Sequence, residues 1–143
     1  MSWNPFRREN PAQPELNPAI ALGRQGEELA RLFLRREGYK ILHRNFRGHQ
    51  GGEIDIVCRE ISSNTLVFVE VKTRSSADFG SPSAAVNTAK QRLITRGALA
   101  WLRMLDNPDV VFRFDIVEVV MNEGNPAVTV LRDAFQLPEP FIY

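Results

Sequence analysis

Three residues in this chain have types and spacing suited to chemistry: Asp55, Glu70 and Lys72. They interrupt two apolar runs, GEIDIVCRE and TLVFVEVKT, that are separated by a Ser-Ser-Asn turn, and Glu53 adds a fourth charge. Successive side chains of a strand point to opposite faces. Glu53, Asp55 and Val57 are therefore expected on one face of the first run, with Ile54, Ile56 and Cys58 on the other. In the second run Glu70 and Lys72 share a face with Leu66 and Phe68. A hairpin about Ser63 sets Asp55 opposite position 71 or, one residue along, opposite Glu70, so the charges converge at its open end. Buried carboxylates that close repel each other and cost free energy. Pairing of Lys72 with one of them, or exposure at the end of the sheet, would relieve part of that cost. The functional alternative is a divalent cation, because Asp and Glu oxygens suit Mg²⁺ or Mn²⁺. A lysine beside such a site would stabilise charge developing on a phosphate or orient an attacking water.

These residues need elements to hold them. Asn17-Pro18 predicts the N-cap and first position of a helix running to Gly38, with a core stripe of Leu22, Gly26, Leu29, Ala30 and Phe33. Glu27 borders that stripe. On helical geometry it reads first as an ordinary boundary glutamate, the alternative being a third carboxylate offered to the sheet. YKILHRNF predicts a strand and RGHQGG a tight turn, followed by the two charged strands. A second helix is expected over 81–105, capped by Ser81 and Pro82, with Val86, Ala89, Leu93, Gly97 and Trp101 as its apolar stripe. DVVFRFDIVEVV and AVTVLRDAF predict two further strands. Such a series with very apolar central strands implies a sheet covered on both faces: a three-layer α/β/α sandwich of about five strands. Residues 1–17, with three prolines and no periodicity, read as a flexible tail before a single domain over 18–143.

Composition narrows the class. The chain has 143 residues, 43% hydrophobic and 24% charged, and contains no apolar run near the roughly 18–20 residues of a membrane span. One cysteine, Cys58, excludes an internal disulfide and a thiolate metal site, so a cytoplasmic setting is expected. A net charge of +1 hides two basic stretches, 35–50 and 72–105, set against an acidic tail from Asp106. Their clustering suits a phosphate-binding face, though a solvated mixed surface accounts for it as well. His43 and His49 lack partners for a zinc site and read as phosphate contacts or plain surface. Cys58 and Trp101 read as packing, Phe79 as a loop aromatic, and Asp115 as the partner of Arg113.

The order Asp55, fourteen residues, Glu70, one residue, Lys72 resembles the signature of the PD-(D/E)xK nucleases, with Ile54 in place of the opening proline. A fuller resemblance, over residues 20 to 120, is to the bacterial YraN-type family assigned to that restriction-endonuclease-like fold. It is carried by GRQGEELARLFLRREGYKILHRNFR, GEIDIV, LVFVEVKTR, FGSPSAAVNTAKQRLI and RFDIVEV. The resemblance implies a Mg²⁺- or Mn²⁺-dependent endonuclease hydrolysing phosphodiester bonds in DNA, branched or repair-intermediate DNA included. Glu27, Asp55 and Glu70 would then hold metal, and Lys72 would be the catalytic lysine. Lys90 falls where related nucleases place a supporting polar residue. With Arg44, Arg47 and Arg74 it is expected to meet nucleic acid, the plain alternative being a lysine snorkelling at a helix edge. A non-catalytic nucleic-acid-binding or accessory module on the same fold is the second reading, and RNA as substrate a third. Related junction-cleaving enzymes pair two active sites, which allows a homodimer.

Overall fold

Asn17 opens the first helix as expected, its side chain accepting a hydrogen bond from the Ala19 amide at 2.9 Å, with Pro18 in the first helical turn. In the computed structural model, which describes residues 17–75, 86–122 and 124–137, this helix is α1, Pro18–Arg36. Arg35 and Arg36 sit in its last turn, where positive charge complements the helix dipole, and Gly38 follows with φ +92°. Then come strands β1 (Tyr39–Arg47), β2 (Glu53–Glu60) and β3 (Thr65–Ser75), helix α2 (Thr88–Met104), and strands β4 (Phe112–Met121) and β5 (Ala127–Phe135). The expected tail lies almost wholly outside the described residues, as do Ser81, Pro82 and Phe79. No helix among the described residues is long and apolar enough to cross a membrane.

The strands form one mixed sheet in the order β1-β2-β3-β4-β5, antiparallel except for the β3–β4 pair. A parallel pair needs a crossover, and the segment carrying α2 supplies it. The helices lie on opposite faces. Ala30 and Leu34 of α1 pack with Val67, Val69, Val117 and Val119. Ile94, Ala98 and Leu102 of α2 pack with Phe68, Phe114 and Ile116. The result is the expected α/β/α sandwich.

Two expectations about helix faces need correction. In α1, Leu22, Leu29 and Phe33 are only half-buried, and Leu34 takes the deepest position. The second helix does not include Val86 and Asn87. Asn87 is its N-cap, accepting from the Lys90 amide at 2.9 Å, because a short polar side chain competes with the helix for backbone donors. The buried face of α2 keeps Gly97 and Trp101 of the expected stripe but turns elsewhere: Ala89 is exposed, Leu93 is half-buried, and Ile94, Thr95, Ala98 and Leu102 are buried. Gly97 decides this, because a Cβ there would lie 2.9 Å from the Glu53 amide nitrogen, so α2 rests with its own backbone against β2.

At the sheet end remote from Asp55, charged groups are fully partnered. Arg113 donates to Asp115 at 2.9 Å, as expected, and also to Glu60 at 3.2 Å and 3.3 Å and to the Tyr39 hydroxyl at 3.2 Å. Ser63 donates to Glu60 at 2.6 Å, and Arg132 is a further donor to it. Hydrogen bonds from Arg113 and Ser63 hold the Glu60 carboxyl down at about 2, against an ordinary 4.5. A depressed folded value stabilises above the unfolded one, so Glu60's contribution is present above pH 4.5 and lost as pH falls toward about 2. Glu60→Gln should flatten the acid limb of a stability-versus-pH curve in that window. At neutral pH urea unfolding should show it less stable by about 1–3 kcal/mol.

Candidate active site

The β2–β3 ladder runs from Glu60↔Thr65 to Ile56↔Val69. One further step would set Asp55 opposite Glu70, but the strands part there. The Asp55 carboxylate takes over from the missing strand carbonyl, accepting from the Val71 amide at 2.8 Å. Alternation also resets at this point. Ile54 joins the core under α2, whereas Ile56 and Cys58 join the core under α1. The expectation that Ile54, Ile56 and Cys58 share a face is therefore corrected, because alternation assumes an unbroken ladder. Glu53 reaches α2 and accepts from Lys90 Nζ at 2.7 Å. Asp55 lines a cleft of about 470 Å³ with Glu27, Arg24, Arg44 and Asn45.

The parting of the strands gathers the carboxylates. Glu70 is 3% exposed, and its Oε1 lies 3.3 Å from Lys72 Nζ and 3.4 Å from Lys90 Nζ. Among the described residues its buried Oε2 meets no N–H or hydroxyl donor, and a hydrogen bond links the Glu70 and Asp55 carboxyls when one of them is protonated. Burial, then the neighbouring Asp55 carboxylate, push Glu70 up to about 7. Burial raises Asp55 as well, against the pull of the Val71 amide. Glu27 is raised by burial and by Asp55, while Asn45 hydrogen-bonds to it and works the other way. Asn45 was not anticipated; its positive φ of 53° is a conformation asparagine tolerates better than most residues. The Lys90 contact holds Glu53 low. Burial works against the charge on Lys90, but Glu53, Glu70 and Asp55 outweigh it and raise the lysine.

Glu27 owes its place to the residue before it. A Cβ on Gly26 would lie 1.8 Å from Thr73 Oγ1, so α1 meets β3 at a distance only glycine permits. Among the described residues, no three Asp, Glu, His or Cys side chains form a ready-made metal cage. The donors nonetheless fit a hard cation: Glu70 Oε2 is a buried oxygen beside the half-buried Asp55 carboxylate, and burial makes both resist ionisation although the neighbouring lysines oppose it.

The residues expected to meet nucleic acid are dispersed. Arg44 donates to Glu28 at 3.0 Å near the Asp55 cleft, and Arg47 lines a different cleft against α2. Arg74 lies 3.5 Å from Glu118 across β3 and β4. Lys90 stands inside the carboxylate group instead of on an outer surface. Cys58 and Trp101 are core residues, and His43 lies against the rings of Phe46 and Trp101.

A mixed sheet sandwiched by helices, with a half-buried Asp, a buried Glu and two lysines where two strands part, defines an α/β/α protein with a charged site at the sheet end. The chain belongs to uncharacterised protein family UPF0102, whose model matches residues 26–119. It is similar to the UPF0102 protein of Geobacter metallireducens, 46% identical over 117 residues that cover 82% of this chain and 93% of that one. It is also similar to that of Caldicellulosiruptor saccharolyticus, 47% identical over 116 residues covering 80% and 96%. With that of Nocardia farcinica it shares 45% identity over 116 residues, covering 80% and 89%.

Three substitutions check this geometry. Gly26→Ala should destabilise the protein by about 1–3 kcal/mol in urea unfolding, since α1 must lift from Thr73. Thr73→Ala in the same chain should return part of the loss. Glu70→Gln should raise the melting temperature in EDTA at mildly alkaline pH, because it removes a buried charge whose second oxygen has no N–H or hydroxyl donor among the described residues. A fall comparable to that of Gly26→Ala would contradict this account of Glu70.

Proposed function

We propose that the protein is a divalent-metal-dependent endonuclease acting on phosphodiester bonds in DNA. The observation that carries this reading is Glu70 Oε2, buried beside Asp55 without an N–H or hydroxyl donor among the described residues, with Lys72 Nζ 3.3 Å from the other oxygen of the same carboxylate. Asp55 and Glu70, with Glu27 from α1, are the residues that would hold Mg²⁺ or Mn²⁺, which supplies Lewis-acid polarisation of a phosphate oxygen and a more acidic bound water. Lys72 keeps part of its side chain open to solvent, so its ammonium can turn from Glu70 toward a phosphate and stabilise the charge that builds there. Lys90, held by Glu53, keeps a second positive charge at Glu70. Arg44, Arg47 and Arg74 would contribute affinity for the backbone without reading sequence. A cytoplasmic setting and the pairing of two chains belong to the same reading.

One observation favours a second reading, a nucleic-acid-binding or accessory module that does not hydrolyse. Lys72 and Lys90 already balance much of the negative charge of Glu53, Asp55 and Glu70. Pure protein with Mg²⁺ or Mn²⁺ on linear, nicked, flapped and four-way DNAs, with matching RNAs, tests both. We expect cleavage of at least one DNA, and a loss of roughly a hundredfold or more in Asp55→Ala and in Lys72→Ala. Cleavage that persists in both variants would sink the nuclease assignment. No cleavage and no Mn²⁺ uptake by calorimetry, with DNA binding intact in EDTA, would establish the module. Sedimentation as a monomer at micromolar concentration would count against the pair of chains.

A further inference from the structure

A second cleft lies apart from the carboxylate one. It has a volume of about 790 Å³ and opens between the turn joining β1 to β2 and one side of α2. Phe46, Leu99 and Met104 give it an apolar floor, and Arg47, Arg96 and Arg103 contribute its positive charge. Among the described residues no carboxylate lines it. Arg96, Arg103 and Met104 are exposed, Met104 to 63%.

The turn forms a built wall. Gly52, at φ +90°, lies so close to α2 that a Cβ would fall 2.3 Å from the Gly97 amide nitrogen. The Gly48 amide donates to the Gly52 carbonyl at 3.1 Å, and a Cβ on Gly48 would meet the Gly51 oxygen at 2.7 Å. Gly52 and Gly97 thus bring the turn and the helix together at backbone distance beside the cleft. The same turn leads into Glu53, which pairs across β1–β2 with Arg47 and holds Lys90 beside Glu70.

A concave apolar floor on which the charged side chains, among the described residues, are all arginines fits a flat apolar body joined to anions. A continuous duplex would reach the arginines with its phosphates and leave the floor empty, because its bases are stacked inside. Arg96 and Arg103 are seven residues apart on one helix, about 10 Å, which is more than one phosphate occupies and suits a strand over a free nucleotide. We propose that this cleft receives an unpaired nucleotide of a nucleic-acid strand, its base on Phe46, Leu99 and Met104 and its flanking phosphates on Arg47, Arg96 and Arg103. The protein would thereby select sites where base pairing is interrupted. This rests on the nucleic-acid reading above, though not on catalysis.

The test uses the full chain in EDTA, so that cleavage plays no part. Fluorescence anisotropy compares a continuous DNA duplex with the same duplex carrying one extruded thymidine, and with oligothymidine. The expected result is roughly tenfold tighter binding of the probes with unpaired nucleotides. Met104→Ala should reduce that preference at least about threefold and leave continuous-duplex affinity unchanged. Arg96→Ala with Arg103→Ala should weaken binding of every probe and lower its dependence on salt. All three substitutions are at exposed positions, and thermal melts confirm folding. A Trp3→Phe background leaves Trp101, whose ring lies 5.3 Å from Phe46, as a reporter whose emission should change with oligothymidine. Equal affinity for paired and unpaired probes, or an undiminished preference in Met104→Ala, would overturn the proposal. Saturation by thymidine 5′-monophosphate as tight as by oligothymidine would overturn the assignment to a strand. Lack of cleavage in the metal assay touches the nuclease reading alone, and loss of the unpaired preference touches this cleft alone.

Discussion

The hydrogen bond from the Val71 amide to the Asp55 carboxylate is the contact on which the site depends. Strands that separate inside a sheet leave amides without acceptors, and a buried amide without a partner costs a substantial part of a kilocalorie or more. Asp55 supplies the acceptor from a side chain, so β2 can leave β3 one step before Glu70. That departure opens the space in which Glu27 approaches from one face and Lys90 from the other. It also turns Ile54 into the core under α2, which seats β2 against Gly97. The charges are therefore not flaws in two buried strands. One of them is the device that ends the ladder.

The same device recurs at the opposite end of the sheet, where the β4–β5 register shifts between Phe114 and Ile116 and Asp115 accepts from the Asp133 amide at 2.9 Å. There Arg113 accompanies the aspartate and also serves Glu60, whose carboxyl falls well below its ordinary value. At the Asp55 end, burial and carboxylate repulsion push Glu70 the other way. Chemically similar groups at two strand irregularities thus have opposite electrostatics. The difference lies in guanidinium forks that satisfy several lone pairs at one end, against two ammonium groups that reach only one oxygen of Glu70 at the other.

Much of this was legible in the chain and some was not. Asn17-Pro18, the glycine pairs and the apolar runs locate the elements because each acts through local backbone chemistry. The covered sheet follows from strands too apolar to face water. Hairpin register brings Asp55 to within one step of Glu70, and the parting of the strands completes the approach. The reset of alternation at Asp55 was hidden, because nothing local marks where a ladder stops. The buried face of α2 was hidden too: Leu93 and Ile94 satisfy either choice, and the contact that decides it joins Gly97 to Gly52, far away in sequence. Lys90 was placed by family pattern, but its inward position depends on Glu53, on a strand that precedes it by most of the hairpin and the crossover. Glu60 joins Arg113 over a separation of 53 residues, which no spacing rule reaches.

Glycine connects the two faces of the site. Gly26 lets α1 sit down on Thr73 and brings Glu27 to the Asp55 cleft. Gly97 lets α2 sit down on Gly52 and Glu53 and carries Lys90 toward Glu70. Each helix gives up some helical propensity at these positions, on the order of 1 kcal/mol relative to alanine. The compensation is a backbone-to-sheet distance that no larger residue allows. It fixes the charged groups through rigid elements instead of long flexible side chains, and the same Gly52–Gly97 contact lies beside the cleft that Arg47 lines. The chain thus ties its catalytic candidates and its proposed strand-binding cleft to one backbone contact, that of Gly52 and Glu53 with Gly97.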